Sequence, residues 1–389
     1  MLKITSGCRF GYSDRVMRSW SLSVAVALLL VLGVSSMNAF EPEKKKKEEE
    51  TQTLEVLPDL PQAVIAETAR LEFYISPLSA KGLLSQQVKD ALKALDKATR
   101  RSVIVNLRAL VAGSGDMRRV NSLVSEFFSE KRKPLPSLTV VQVGGLPLTG
   151  AQVVIEATAV GRKDVNPNGL AFISGQGKSD PNPLAPTQPL AEEALSGLQT
   201  AVAAAGVDPG GLLRVTCLAS LLDDAMAIRG KIASAFPKAA LNYVQVQRAP
   251  FRGVVECEAV GRLRQAPAAP VTFLNPEGLG KSPNYSQIAL VNAPKVVLSG
   301  SQLSFRYQDS DARLALQRLG KALEEIGTSF QQVFFSRIYP VSPSIAEQVR
   351  RVRFEFFDKS RPPASTLLPF DGLPAMEAGF AVDVMATLR

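Results

Sequence analysis

One stretch of this 389-residue chain is written three times. Val153–Arg162 reads VVIEATAVGR, Val254–Arg262 reads VVECEAVGR, and the C-terminal run Phe380–Arg389 reads FAVDVMATLR. Each is preceded, at a similar distance, by a helix-like segment, a proline-containing turn and a short β-rich run. The chain therefore reads as a unit of about 100 residues used three times. Such a repeat constrains the fold more than any single motif, because tandem units must bury each other's open faces.

With 46% hydrophobic and 21% charged residues, the chain has the composition of globular protein and the length for about two to four cores. The N-terminus departs from this. Arg9, Arg15 and Arg18 precede an apolar run from Trp20 to Val34, followed by small residues and Met37-Asn38-Ala39. Residues 1–39 are read as a secretory signal, cleaved near Ala39, which places the mature protein in the periplasm or outside the cell. The alternative is an uncleaved membrane tether, since Trp20 to Phe40 approaches the roughly 20 residues that span a bilayer. Ser21, Ser23, Ser35, Ser36 and Asn38 dilute the run and favour cleavage. Removing Lys3, Arg9, Arg15, Arg18 and Asp14 lowers the formal charge of +9 by three, a mild excess that says little about nucleic acid. Lys44–Glu50 is self-neutralising and sits in a charged, proline-containing linker over residues 40–68.

Absences exclude whole classes of chemistry. The chain has no histidine, which removes serine-histidine and cysteine-histidine catalysis and histidine-ligated metal sites. Cys8 lies in the signal, leaving Cys217 and Cys257. Two thiols cannot build a four-cysteine metal site; in an exported protein they form one disulfide or stay buried as small apolar residues, and burial is the preferred reading. No metal and no cofactor are expected.

Periodicity places three α+β units at residues 69–163, 164–265 and 266–389. Strands are expected at Leu71–Ile75, Ser102–Val111, Leu138–Val143 and Gln152–Val160, with helices over Leu83–Ala98 and Asp116–Glu130. The second unit repeats the order with helices at Pro189–Gly206 and Asp223–Phe236. The third has helices at Ser310–Gly327 and Ser344–Asp358 and an extra strand at Tyr285–Val291. Amphipathic helices over one face of each sheet make two-layer units, and the other sheet faces are expected to meet around a pseudo-threefold axis.

The third unit resembles the RidA (YjgF) family. Ser282–Gln287 (SPNYSQ), Leu298–Gln302 (LSGSQ) and the helix Leu314–Gly327 match the family's opening; Phe356-Phe357, Pro363–Thr366 and Leu373-Pro374 match its second half. Ser174-Gly175-Gln176 and Glu256 mark the second copy, and Asn121, Phe127-Phe128, Leu146-Pro147 and Glu156 the first. The resemblance implies a chorismate mutase-like pseudo-trimer with sheets inside, helices outside and ligand sites in three clefts, here built by one monomeric chain. Active family members hydrolyse enamines and imines of 2-oxo acids, and hold the substrate carboxylate on an arginine in a Pro-Ala-Arg-Ser/Thr turn. A guanidinium fork suits that task as a neutral group does not.

Nine residues before the proline of Leu-Pro, that arginine position falls on Leu138, Leu241 and Ser365, where Ala249-Pro250 stands for Leu-Pro in the second unit. No copy keeps the arginine, and the family's next residue, a cysteine, is replaced by Thr139, Asn242 and Thr366. Cleft-lining matches are Ser174, Gln176, Tyr285, Ser299 and Gln302. Glu156, Glu256 and Asp383 match the acidic position on the last strand, either as site groups or as interface ion pairs. Arg229 and Arg350 are candidates for a relocated anion anchor, although arginines on helix surfaces are ordinarily solvated.

Two other motifs carry little. Gly278–Ser282 (GLGKS) lacks the leading glycine of a phosphate loop, having Asn275 there, and Pro283 blocks the helix that should follow. Arg350–Arg353 beside Phe354, Phe356 and Phe357 fits a helix that buries phenylalanines and exposes arginines, so no nucleic acid partner is expected. Two functions remain. The first is a pseudo-trimer that has lost deaminase chemistry and binds a small carboxylate, such as a 2-oxo or imino acid, or acts as a scaffold. The second is an enzyme using a rearranged cleft, with Glu156, Tyr285 or Asp383 as acid or base and Arg229 or Arg350 for the carboxylate.

Overall fold

The alternating β-like and helix-like runs become sixteen strands and six helices in a computed structural model describing residues 56–113 and 115–388. The signal reading and most of the linker lie outside the described residues. The first third holds β1 (Ala63–Glu67), β2 (Leu71–Ile75), α1 (Leu84–Ala98), β3 (Val103–Ala112), α2 (Arg118–Glu130), β4 (Ser137–Val143) and β5 (Val153–Val160). Next come β6 (Leu170–Asp180), α3 (Thr187–Ala204), β7 (Val207–Ala219), α4 (Ala225–Ala235), β8 (Ala240–Gln245), β9 (Gly253–Leu263) and β10 (Val271–Leu274). The rest is β11 (Ile288–Val291), β12 (Lys295–Ser299), β13 (Gln302–Phe305), α5 (Asp309–Glu325), β14 (Val333–Pro340), α6 (Pro343–Val352), β15 (Ala364–Leu367) and β16 (Ala378–Thr387).

These strands make three mixed sheets. Their orders are β2-β5-β3-β4, β10-β11-β6-β9-β7-β8, and β1-β12-β16-β14-β15 with β13 also on β16. In each, a helix connects one parallel pair, β3 with β4, β7 with β8, and β14 with β15, while the strand after the proline turn runs antiparallel. A parallel pair needs such a crossover, which explains why α2, α4 and α6 sit where they do.

Three strands leave the sheets that chain order suggests. β1 falls inside the stretch read as linker, and it pairs along its whole length with β12 in the third sheet. β11, assigned by sequence to the third unit, pairs with β6 of the second sheet, and β10 adds outside it. An edge strand satisfies its backbone groups on whichever neighbouring edge is open, so chain order alone does not fix its sheet.

Burial follows strand alternation. One face of each sheet packs on its helices, giving three apolar clusters: Val88, Leu92 and Val124 over Leu107 and Ile155; Leu198 and Ile228 over Val215 and Val255; Leu316 and Val349 over Ile338 and Val384. The opposite faces of all three sheets meet one another. Leu110, Val154, Leu218, Val254, Tyr339 and Ala381 form one shared cluster, and Phe73, Val105, Phe172, Val260, Phe335 and Met385 form another. Isolated bridges join the sheets pairwise, Gln142 to Gly372, Gly145 to Gln245, and Ser286 to Ala364.

Cys217 on β7 stands directly opposite Cys257 on β9, with their Cα atoms 4.0 Å apart, and the two form a disulfide. The reading that preferred free buried thiols is corrected here: both side chains are buried, but as a cross-link between adjacent strands. The bridge closes a 40-residue separation, for which chain entropy gives a stabilisation of about 4 kcal/mol. Replacing both cysteines with alanine is expected to lower the unfolding free energy, measured by chemical denaturation, by an amount of this order. A loss under about 1 kcal/mol would show the bridge to be structurally idle.

Candidate functional site

Between the two shared apolar clusters lies a buried layer of charge. Arg108, Thr216 and Arg337 occupy matching places on β3, β7 and β14, opposite Glu156, Glu258 and Asp383 on the last strands. Arg108 donates through Nε to Glu156 Oε2 at 2.9 Å and through Nη2 to Glu258 Oε1 at 2.8 Å. Arg337 Nε donates to the same Glu258 oxygen at 3.0 Å and Nη1 to Asp383 at 3.4 Å. Thr216 and Asn242 donate to Glu156 Oε1 at 2.6 and 2.8 Å; Thr139 and Tyr339 donate to Asp383 Oδ2 at 3.0 and 2.8 Å. Arg214, 3.7 Å from Glu156, brings the layer to three arginines against three carboxylates.

This layer corrects two site readings. Glu156 and Asp383 are 1% and 4% exposed and fully engaged, so neither is free to move a proton to or from a ligand. Burial opposes the charge of Glu156, but Arg108, Arg214 and Arg337 overcome it and hold the carboxyl down at about 2. The matching acid of the second repeat is Glu258, not Glu256, since Glu258 is the one opposite Thr216. Glu256, two residues away on the same strand face, reaches a cleft.

That cleft is a cavity of about 380 Å³ between the second sheet and the segment carrying α6 and β15. Arg252, Glu256, Tyr285, Arg350, Arg353 and Ser365 line it, with Lys178, Ser282, Asn284 and Glu347. The backbone of β6 slips register between Ile173 and Gln176, and at this bulge a Cβ on Gly175 would lie 1.7 Å from Glu256 Oε1. Only glycine leaves space for the carboxylate there. Burial, with repulsion from Glu258 second, pushes the Glu256 carboxyl up to about 7 against the pull of Arg252 and Arg350. Burial also raises the Tyr285 phenol, and Glu256 adds to that rise.

Arg353 is the residue that sequence reading missed. The run was expected to expose its arginines, but Arg353 is only 2% exposed. α6 starts at Ser342, whose hydroxyl accepts from Ile345 N at 3.3 Å, with proline at N1. Its inner stripe runs through Ile345, Val349 and Val352, and a 3₁₀ turn, Arg353–Glu355, continues from there. Arg353 lies four residues after Val349 and therefore on the inner face. Its Nε and Nη2 have no hydrogen-bond partner among the described residues, and its guanidinium stacks 4.9 Å above Phe354. Burial, then repulsion from Arg350, lowers its pKa to about 10.

The other candidates separate. Arg350 lines the cavity and pairs with Glu347, whereas Arg229, on α4, lines none of the cavities described here. Ser174 donates to Ser286 O at 2.6 Å and accepts from Ser365 N at 2.9 Å; Gln176 donates to Gln287 at 2.8 Å. Ser299 accepts from Val384 N at 2.8 Å. These three hold backbone and face no cavity. Gln302 pairs with Gln62, which lines a second cavity of about 310 Å³ together with Leu138, Asn121, Arg118 and Gly300. Leu241 packs against the core beneath α3 and α4. Ser282, from the GLGKS run, sits in a loop and lines the first cavity.

No family model matches the chain, and none of the curated proteins does. Solved structures similar to it are RidA/YjgF-family structures at low identity. A Rid-family protein of unknown function from Yersinia pestis is 17% identical, with 31% of this chain and 100% of that one covered at a TM-score of 0.28. A YjgF-family member from Neisseria meningitidis is 16% identical, with 31% and 95% covered at 0.23. A member of the YjgF/YER057c/UK114 family from Mycobacterium tuberculosis is 21% identical, with 30% and 99% covered at 0.22.

Proposed function

We propose that the chain is an exported, single-chain pseudo-trimer of RidA-like units that binds a small carboxylate between its second and third sheets and has lost the family's imine deaminase chemistry. One observation carries the binding: Arg353 is buried at the wall of a 380 Å³ cavity, and two of its guanidinium nitrogens, covered in this structure, have no hydrogen-bond partner among the described residues. A buried cation without a counter-charge is costly unless something anionic completes it, and a planar fork best fits a carboxylate. Arg350 and Arg252 add positive charge from α6 and from the start of β9.

Loss of the usual chemistry rests on the arginine position, occupied by Leu138, Leu241 and Ser365. The three-copy reading is supported by the same parallel pair in every sheet and by the matched places of Arg108, Thr216 and Arg337. Export is supported by the N-terminal segment and by the disulfide, a bond that persists in oxidising compartments. No helix among the described residues is long and apolar enough to cross a membrane.

A second reading, an active hydrolase of imino acids, is favoured by Glu256, whose carboxyl at about 7 is poised for proton transfer beside Arg350 and Tyr285. The two readings divide on 2-iminopropanoate generated in situ: the first expects hydrolysis at the uncatalysed rate, the second a rate well above it that Glu256→Gln abolishes. Both expect pyruvate to bind, measured by calorimetry, and absence of binding at millimolar concentration would sink both. Below about pH 7 Glu256 is neutral and tolerates an anion; above it, its charge opposes one. Affinity should therefore fall as pH rises through 7, approaching about tenfold per unit, and Glu256→Gln should remove the dependence.

A further inference from the structure

An apolar cavity of about 260 Å³, distinct from the one lined by Gln62 and Leu138, adjoins the polar one. Its lining is mainly apolar, with Pro250, Phe251, Pro343, Ala346, Leu368 and Pro369, and it shares Arg252, Val254, Glu347 and Arg350 with the polar cavity. The pair Arg350–Glu347, three residues apart on α6, stands between the two spaces. Leu368 and Ala346 are 1% and 3% exposed and belong to the protein's interior, whereas Phe251 is 57% exposed at the rim. Phe251 at the rim extends the apolar lining outward and leaves an aromatic face open to a ligand.

The two cavities make opposite demands on a ligand. The first offers charged and polar groups, Lys178, Arg252 and Arg350 among them with Arg353 in its wall, and suits an anion. The second offers proline, phenylalanine and leucine, and suits hydrocarbon. Because four residues line both, the two spaces are direct neighbours. We infer that the ligand is amphipathic: a carboxylate head held by Arg353 and Arg350, and an apolar arm that passes the Arg350–Glu347 pair and lies against Phe251 and Leu368. This rests on the carboxylate reading of the cleft and narrows it, since pyruvate-sized acids would fill only the head.

Binding of straight-chain carboxylates from acetate to octanoate, measured by calorimetry at pH 6, tests the inference. Affinity should rise about fourfold per methylene, the equivalent of about 0.8 kcal/mol, until the pocket is full, and then level off. Octan-1-ol, with the same arm and no charge, should bind at least about tenfold more weakly than octanoate. Phe251→Ala, at an exposed position where the fold has little at stake, should flatten the rise while leaving acetate unchanged. Ala346→Leu, which fills the pocket from inside, should block the longer acids alone. Equal affinity for short and long acids would overturn the apolar arm while leaving the carboxylate cleft standing. A rise that neither variant alters places the arm elsewhere and also overturns it. Absence of binding by every acid would overturn both this inference and the function it rests on.

Discussion

Arg108→Met is expected to cost about 3 to 5 kcal/mol of folding stability, read from chemical denaturation followed by circular dichroism. Arg108 is the only side chain that hydrogen-bonds both Glu156 and Glu258 among the described residues, and all three are at most 2% exposed. Removing it leaves two carboxylates with Arg337 and Arg214 as their remaining cations among the described residues, in a layer closed above and below by apolar clusters. The cost is that of uncompensated buried charge rather than of the lost contact. Adding Glu258→Gln to Arg108→Met should therefore recover part of the loss. A single variant within about 1 kcal/mol of the wild type would show that water or relaxation screens the layer.

The same layer sets an acid limit. Glu156 has a folded-state pKa of about 2 against an ordinary 4.5, so its contribution is complete above about pH 4.5 and disappears as pH falls toward 2.

Arg353→Met is expected to weaken carboxylate binding by at least about thirtyfold, the lower end of the roughly 2 to 5 kcal/mol lost with a buried charge pair. Its effect on stability should have the opposite sense to that of Arg108→Met. Arg353 has no carboxylate partner among the described residues, so replacing it strands no opposite charge there, and the protein should unfold at the same denaturant concentration or a higher one. Arg353→Lys keeps charge without the fork and should recover only part of the affinity. Unchanged binding in Arg353→Met would dismiss the cleft as the site. A fall in stability equal to that of Arg108→Met would recast Arg353 as a packing residue.

Much of the architecture was legible because periodicity survives divergence. Helix positions read from apolar spacing fall within a few residues of α1 to α6, since each helix needs one inward stripe whatever its surface carries. The destinations of the edge strands were not legible. β1 and β11 are short, almost wholly apolar runs, and nothing in them says which open edge they will meet. The site divided in the same way. Tyr285, Arg350 and Ser365 were named from sequence and line one cavity, while Glu156 and Asp383 were named for a site and lie in the sealed layer. All three last-strand carboxylates sit in similar runs, and a shift of two residues along one strand face separates Glu258 in the sealed layer from Glu256 in the cleft. For Arg353 a signal did exist, its four-residue spacing from Val349, but a charged side chain on an inner stripe is normally discounted.

Local chemistry and apolar periodicity, both present in the sequence, determined that this chain makes sheets with covering helices, has no histidine-based catalysis, and lacks an arginine at Leu138, Leu241 and Ser365. Which groups face one another was decided only by tertiary structure. Arg108 meets Glu258 across 150 residues, and Ser365 comes to lie with Glu256 and Arg353 around one cavity. Charges act through distance and burial, and neither is fixed until strands from separate parts of the chain have paired.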